Sequence, residues 1–163
     1  MKIVKCDNFE FDVDYDINQS YYLSNELCDC PPDKNYYKII GKYHHRIVEF
    51  LAQFGVDATR PDEVSWLEQD VTKQTVFYEA MYSVKGEVTR GDISEYGKAE
   101  VNVDGLDVYF NKCDFPNGQM GKCFGISVFV VLPWEQNEPY ENYFYVKKPK
   151  KRFFKRIFNR SNR

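Results

Sequence analysis

The sequence predicts an α+β fold: an antiparallel sheet of about four to six strands with one long helix packed on it, followed by a basic C-terminal tail. Three observations carry that expectation. Short stretches of alternating apolar and polar residues recur along the chain, as half-buried strands require. One stretch, residues 35–54, instead repeats its apolar positions at three and four, the period of a helix with one buried face. Finally, the 163 residues are 43% hydrophobic and 29% charged, enough apolar material for one core and too much for a disordered chain.

Taken in order, residues 3–6 and 9–13 alternate around Asp7-Asn8 and read as a strand pair or one interrupted strand. Residues 20–23 read as a further, weaker strand. The segment Cys28-Asp29-Cys30-Pro31-Pro32-Asp33 reads as a loop, because two prolines interrupt regular structure. The helix follows, with Tyr36, Ile40, Tyr43, Ile47, Phe50, Leu51 and Phe54 on one face. Gly55 stands where a left-handed C-terminal cap is wanted. Pro61, with Asp62 and Glu63 behind it, suits the first turn of a short helix.

Beyond residue 75 the pattern turns to strands. Residues 75–88 are rich in Val, Phe and Tyr. Ala99, Val101 and Val103 alternate up to Asp104-Gly105, and Leu106, Val108 and Phe110 alternate away from it. A two-residue Asp-Gly loop predicts a hairpin pairing Val103 with Leu106, Val101 with Val108 and Ala99 with Phe110. Residues 115–118 read as a turn. Residues 126–132 are apolar on both faces apart from Ser127, as in a central strand, and Pro133 ends the run.

The formal net charge of −3 conceals a split. Nine of the 22 bases and none of the 25 acids lie in residues 147–163, so residues 1–146 carry 13 bases against 25 acids, a net of −12. The expected organisation is an acidic domain, 1–146, and a basic amphipathic tail, 147–163. An acidic body repels phosphate backbones and anionic lipid and suits basic protein partners. The five cysteines, Cys6, Cys28, Cys30, Cys113 and Cys123, are odd in number, and no apolar export segment opens the chain. No stretch approaches the roughly 18 apolar residues of a membrane span. Cytoplasmic localisation with free thiols is the expectation.

Chemistry-bearing motifs are few. A structural zinc site draws on two paired cysteine clusters, and Cys28-x-Cys30 is a single pair. On a helical wheel His44 flanks the apolar stripe while His45 points away, so the two do not converge. Cys28 and Cys30 are read as loop thiols, and no metal or cofactor is expected. Both histidines are mid-helix, no nucleophile or phosphate-binding motif is present, and the carboxylates of Glu63, Glu68, Asp70, Glu79 and Glu87 have no convergent spacing. The chain is therefore read as a non-enzyme with no catalytic residue.

Two segments suggest binding instead. The run 134–145 sets aromatic rings among acids, and Trp134, Glu135, Glu138, Tyr140, Glu141 and Tyr143 would suit a basic partner. The competing reading has these rings covering the edge of the chain's own sheet; Tyr21-Tyr22 and Tyr36-Tyr37 pose the same choice. In the tail, a helix after Pro149 would gather Phe153, Phe154, Ile157 and Phe158 on one side, with Lys150, Lys151, Arg152, Lys155 and Arg156 around them. That is the pattern of an anchor at an anionic membrane surface. Docking onto the acidic body, or disorder, ranks ahead of it, and nucleic acid ranks last because the body would oppose phosphate.

The C-x-C-P loop, the helix ending Phe54-Gly55-Val56-Asp57, the segment Arg60-Pro61-Asp62-Glu63-Val64 and the tripeptide Leu132-Pro133-Trp134 together resemble a group of small uncharacterised bacterial cytoplasmic proteins. That likeness covers the middle third of the chain plus the tripeptide, and it implies an α+β fold and bacterial origin without an activity. In that group the loop carries a third cysteine, where this chain has Pro31-Pro32-Asp33-Lys34. In size and charge the chain is also similar in style to immunity proteins. The leading expectation is a protein-binding module, an immunity-type inhibitor of a basic partner; the alternative is a peripheral membrane protein held by its tail.

Overall fold

Alternation around a tight turn produces the first two strands, β1 (Lys2–Cys6) and β2 (Phe9–Val13), which pair antiparallel. The structure, a computed structural model, describes residues 1–93, 99–112 and 120–144. Three helices follow: α1 (Tyr15–Ser24), α2 (Pro31–Tyr43) and α3 (His45–Ala52). Then come β3 (Glu63–Asp70), β4 (Thr75–Arg90), β5 (Ala99–Val103), β6 (Leu106–Asn111), β7 (Cys123–Pro133) and a single 3-10 turn, Tyr140–Asn142. The strands form one antiparallel sheet in the order β1-β2-β4-β7-β6-β5, with β3 also paired to β4. The α+β class stands. The described residues contain seven strands rather than four to six, and three helices rather than one.

Each difference has a local cause. The long helix breaks at His44, whose backbone (φ −135°, ψ 56°) ends α2 and begins α3. His44 donates its N–H to Ile40 O, and its carbonyl accepts from Ile47, so one residue closes both helices. The break re-aims α3, and Phe50 meets Phe110 of the sheet at a ring separation of 6.4 Å. The helix also starts earlier than the prolines suggested, because Pro31 and Pro32 occupy its first turn, where no N–H is needed. Residues 20–23 are helical: Asn18 and Tyr22, four apart, are both buried, so the helical period outweighs the local tyrosine pair. The expected short helix at Pro61 is instead the lead-in to β3, with Asp62 donating to Met81 O at 2.9 Å. Only Val64 of β3 is buried, so β3 had no alternation to betray it.

Other elements follow the sequence. The hairpin of β5 and β6 has the expected register, Val103 with Leu106, Val101 with Val108 and Ala99 with Phe110. Asp104 (φ 54°) and Gly105 (φ 83°) both adopt the left-handed conformation that this turn needs. Gly55 (φ 78°) caps the third helix, and a Cβ there would lie 2.6 Å from Tyr15 O. β7 runs centrally between β4 and β6. Cys113, the turn at 115–118 and the tail lie outside the described residues.

All three helices pack on one face of the sheet, over Tyr78, Ala80, Tyr82, Val84, Phe110, Phe124, Val128 and Val130, all of them buried. Polar side chains fasten the layers. Along one edge of β4, β3 pairs as far as Met81 and β2 begins at Gly86, which leaves a gap between them. Side chains fill it. Asp62 Oδ2 accepts from Ser83 N at 2.6 Å, and Tyr22 Oη donates to Ser83 O at 2.8 Å. Asn18 Oδ1 accepts from Lys85 N at 2.7 Å, while Asn18 Nδ2 donates to Phe54 O and Lys85 O.

Replacing the fully buried Asn18 by Leu removes this partner from Lys85 N and Phe54 O in the interior, while Lys85 O keeps the Asp14 N–H. At roughly 1–3 kcal/mol for each buried group left unsatisfied, we expect a loss of about 2–4 kcal/mol in urea unfolding. Tyr22, Tyr36 and Tyr82 are buried, and desolvation raises all three phenols above their ordinary value of 10.0. The unfolded chain therefore loses these protons first. Their contribution to stability is complete below pH 10 and falls as pH rises beyond it. In an alkaline titration, phenolate absorbance from these rings should appear together with the loss of far-ultraviolet circular dichroism, in one step.

Candidate functional site

The segment after β7 was expected to present an acidic aromatic face, and the structure spends most of it on the body. Asn35 of α2 donates to Pro133 O at 2.9 Å and accepts from Glu135 N at 2.8 Å, pinning the chain as it leaves the strand. Tyr140 is 2% exposed, packs on Trp134 and Phe144, and donates to Thr75 O at 3.1 Å. Trp134 is half-buried, with its indole N–H on Glu138 O at 2.8 Å. Glu135 is taken by Lys42 (2.6 Å) and by the Tyr43 hydroxyl (2.5 Å), and these two partners hold its carboxyl below the usual range. Tyr140 thus belongs to the core. Glu138 and Glu141 remain exposed and Tyr143 half-exposed. Tyr21 and Tyr36 are likewise internal partners, of Asp62 and Tyr82.

A different surface carries aromatic rings among acids. On the sheet face opposite the helices, the register sets three cross-strand rows. Glu63, Met81, Ser127, Tyr109 and Glu100 form the first. Ser65, Glu79 and Phe129 form the second, and Glu68, Phe77 and Val131 the third. Phe129 lies 6.0 Å from Phe77 and 5.4 Å from Tyr109, ring to ring. Val131 is 54% exposed, and a groove beside it is walled by Glu68, Gln69, Lys73, Thr75 and Phe77. Desolvation and the adjacent Glu100 carboxylate push the Tyr109 phenol up. The sequence hinted at this face only through the odd positions of β4 and β7, which alternate Phe77, Glu79 and Met81 with buried residues.

A third cluster sits at the start of α2. Cys28, Cys30 and Asp33 each turn one ligand-type atom inward, and these atoms all lie within 4.8 Å of one another. Cys30 is the residue before the helix and Asp33 its third residue, the two positions that fold toward each other in a capping box. Pro31 and Pro32 supply no N–H, so Asp33 offers the first backbone donor of the helix. Burial pushes the Cys30 thiol up to about 12, so the free thiol is protonated at neutral pH and is not an activated nucleophile. Cys6, Cys28 and Cys30 are free thiols. Spacing alone showed the cysteine pair; the capping relation to Asp33 was the signal that would have completed the trio.

His44 is half-buried between α2 and α3, with Nε2 3.5 Å from Val131 O, and His45 is exposed. No helix among the described residues is long and apolar enough to cross a membrane. The tail bases and rings, from Lys150 to Phe158, lie outside the described residues. Comparison of the chain with protein-family models, with curated proteins and with solved structures finds no match in any of the three.

The docking of the 134–144 segment can be tested by its core ring. Tyr140→Ala should cost about 3 kcal/mol or more in chemical unfolding, as truncation of a buried aromatic does. Tyr140→Phe should cost about 1 kcal/mol for the lost hydrogen bond. Glu138→Gln and Glu141→Gln should leave the unfolding midpoint unchanged.

Proposed function

We propose that the chain is a non-catalytic protein-binding module, immunity-type in kind, whose sheet face opposite the helices takes a basic partner surface. One observation carries the reading: the three cross-strand rows hold Phe77, Met81, Tyr109, Phe129 and Val131 together with Glu63, Glu68, Glu79 and Glu100, and contain no Lys or Arg. Apolar side chains at the centre supply contact area. The carboxylates at the row ends, Glu63, Glu68 and Glu100, favour approach of a positively charged surface and penalise an acidic one. The net of −12 over residues 1–146 adds long-range steering of the same sign. Glu138, Glu141 and Tyr143 are a separate acidic and aromatic group outside these rows.

The tail supports a second reading, attachment to an anionic membrane surface through Lys150, Lys151, Arg152, Phe153, Phe154, Lys155, Arg156, Ile157 and Phe158. Its support is the nine bases and no acids of residues 147–163.

Affinity capture from native lysate separates the two. The native chain, the chain ending at Val146, a Val131→Lys/Glu68→Lys double variant and a Leu23→Lys control on α1 are run side by side. The sheet-face reading predicts one near-stoichiometric basic protein held by the native, shortened and control chains, weakened by salt and lost from the double variant. A partner retained by the double variant would remove that face from consideration. Sedimentation with anionic vesicles by the full chain, abolished by ending it at Val146, would move the function to the tail.

A further inference from the structure

We propose that Cys28, Cys30 and Asp33 bind a soft divalent cation of the zinc(II) class, through two thiolates and a carboxylate, with a fourth position for water or an exogenous ligand. The three ligand-type atoms already lie within 4.8 Å of one another. A tetrahedral ion at the ~2.3 Å zinc–sulfur distance spaces its ligands about 3.8 Å apart, so closure needs only small side-chain rotations.

The independent observation is Asp33 itself. It is 6% exposed, and among the described residues its Oδ1 is buried without any hydrogen-bond partner. A buried carboxylate with an oxygen left without a donor is costly, and a cation bound to this carboxylate together with the two sulfurs would offset that cost. The neighbouring Lys34 offers no relief, since its Nζ pairs with Asp29 at 2.5 Å.

One backbone N–H already reaches the cysteine pair. Cys28 Sγ accepts from Cys30 N at 3.4 Å. Such outer donors orient and stabilise metal-bound thiolates. The positive end of the 13-residue α2 faces the same three groups. Its position is fixed from below: Tyr78 Oη donates to Pro32 O at 3.2 Å and accepts from Asn35 Nδ2 at 3.2 Å. Two sulfurs and one oxygen select against magnesium and calcium, which take all-oxygen shells.

The test uses the full chain, reduced and metal-free, titrated with cobalt(II) alone and then with zinc(II). We expect one equivalent of cobalt to produce thiolate-to-cobalt charge transfer and the visible bands of a tetrahedral ion, both displaced by zinc. Cys28→Ser and Cys30→Ser should each abolish the charge-transfer intensity or reduce it by about half. Asp33→Asn, nearly isosteric, should weaken zinc binding by more than the roughly tenfold that losing an outer-shell partner costs. Cys6→Ser should change nothing. Cys28 is exposed, so its variant tests the site without challenging the fold. No charge transfer, or charge transfer that survives both cysteine substitutions, would overturn the assignment. So would zinc affinity unchanged in Asp33→Asn.

Discussion

The gap along one edge of β4, between the end of β3 and the start of β2, is the constraint on which the rest of the structure turns. A 16-residue central strand cannot be matched in full on that edge by an eight-residue and a five-residue strand. Between them, Ser83 and Lys85 present backbone donors and acceptors inside the protein, where an unsatisfied group is costly. Asp62, Tyr22 and Asn18 supply the missing partners from the lead-in to β3 and from α1. The sheet therefore continues through side chains where it lacks a strand. Because two of those side chains lie on α1, closing the sheet and docking that helix are one event.

This accounts for a helix that the sequence hid. α1 has little apolar contrast between its faces, and its buried positions are one Asn and one Tyr, so a search for apolar periodicity passes over it. Its stability comes from the polar groups it completes. The break at His44 was equally silent, since α2 and α3 share one apolar period and only the backbone turn between them reveals that they aim at different parts of the sheet. By contrast, the Asp104-Gly105 hairpin was legible to the register, because two left-handed residues in sequence admit few backbone geometries. Gly55 was legible for the same reason. Local backbone chemistry could be read from the chain; long-range polar pairing could not.

The candidate surfaces divide along the same line. Aromatic content of 17% looked like interface material in the 134–145 run, yet Tyr140 and Phe144 close the end of the core. The rings facing outward lie instead on β4, β6 and β7, at positions that alternate with the core. In a central strand that is apolar on both sides, sequence does not distinguish a residue covered by a helix from one on the opposite face. The register does. It places the local pair Glu68 and Phe77 beside the distant Val131, and the local pair Glu100 and Tyr109 beside Ser127 and Met81.

Asn35 links the proposed cation site to the remainder of the fold. Two residues after Asp33, it holds Tyr78 on one side and the backbone at Pro133 and Glu135 on the other. The start of α2 is thus tied both to the central strand and to the segment that closes the core over Trp134 and Tyr140. A cation at Cys28, Cys30 and Asp33 would draw the loop before α2 onto a helix end already held in place, so the ordering required of the protein is confined to the exposed Cys28 side. The same ties mean that tension in that loop would reach Pro133 through a single side chain. The Asn35 amide is fully buried and uses both ends, which makes it the residue where the two halves of the structure, helix layer and C-terminal closure, are joined.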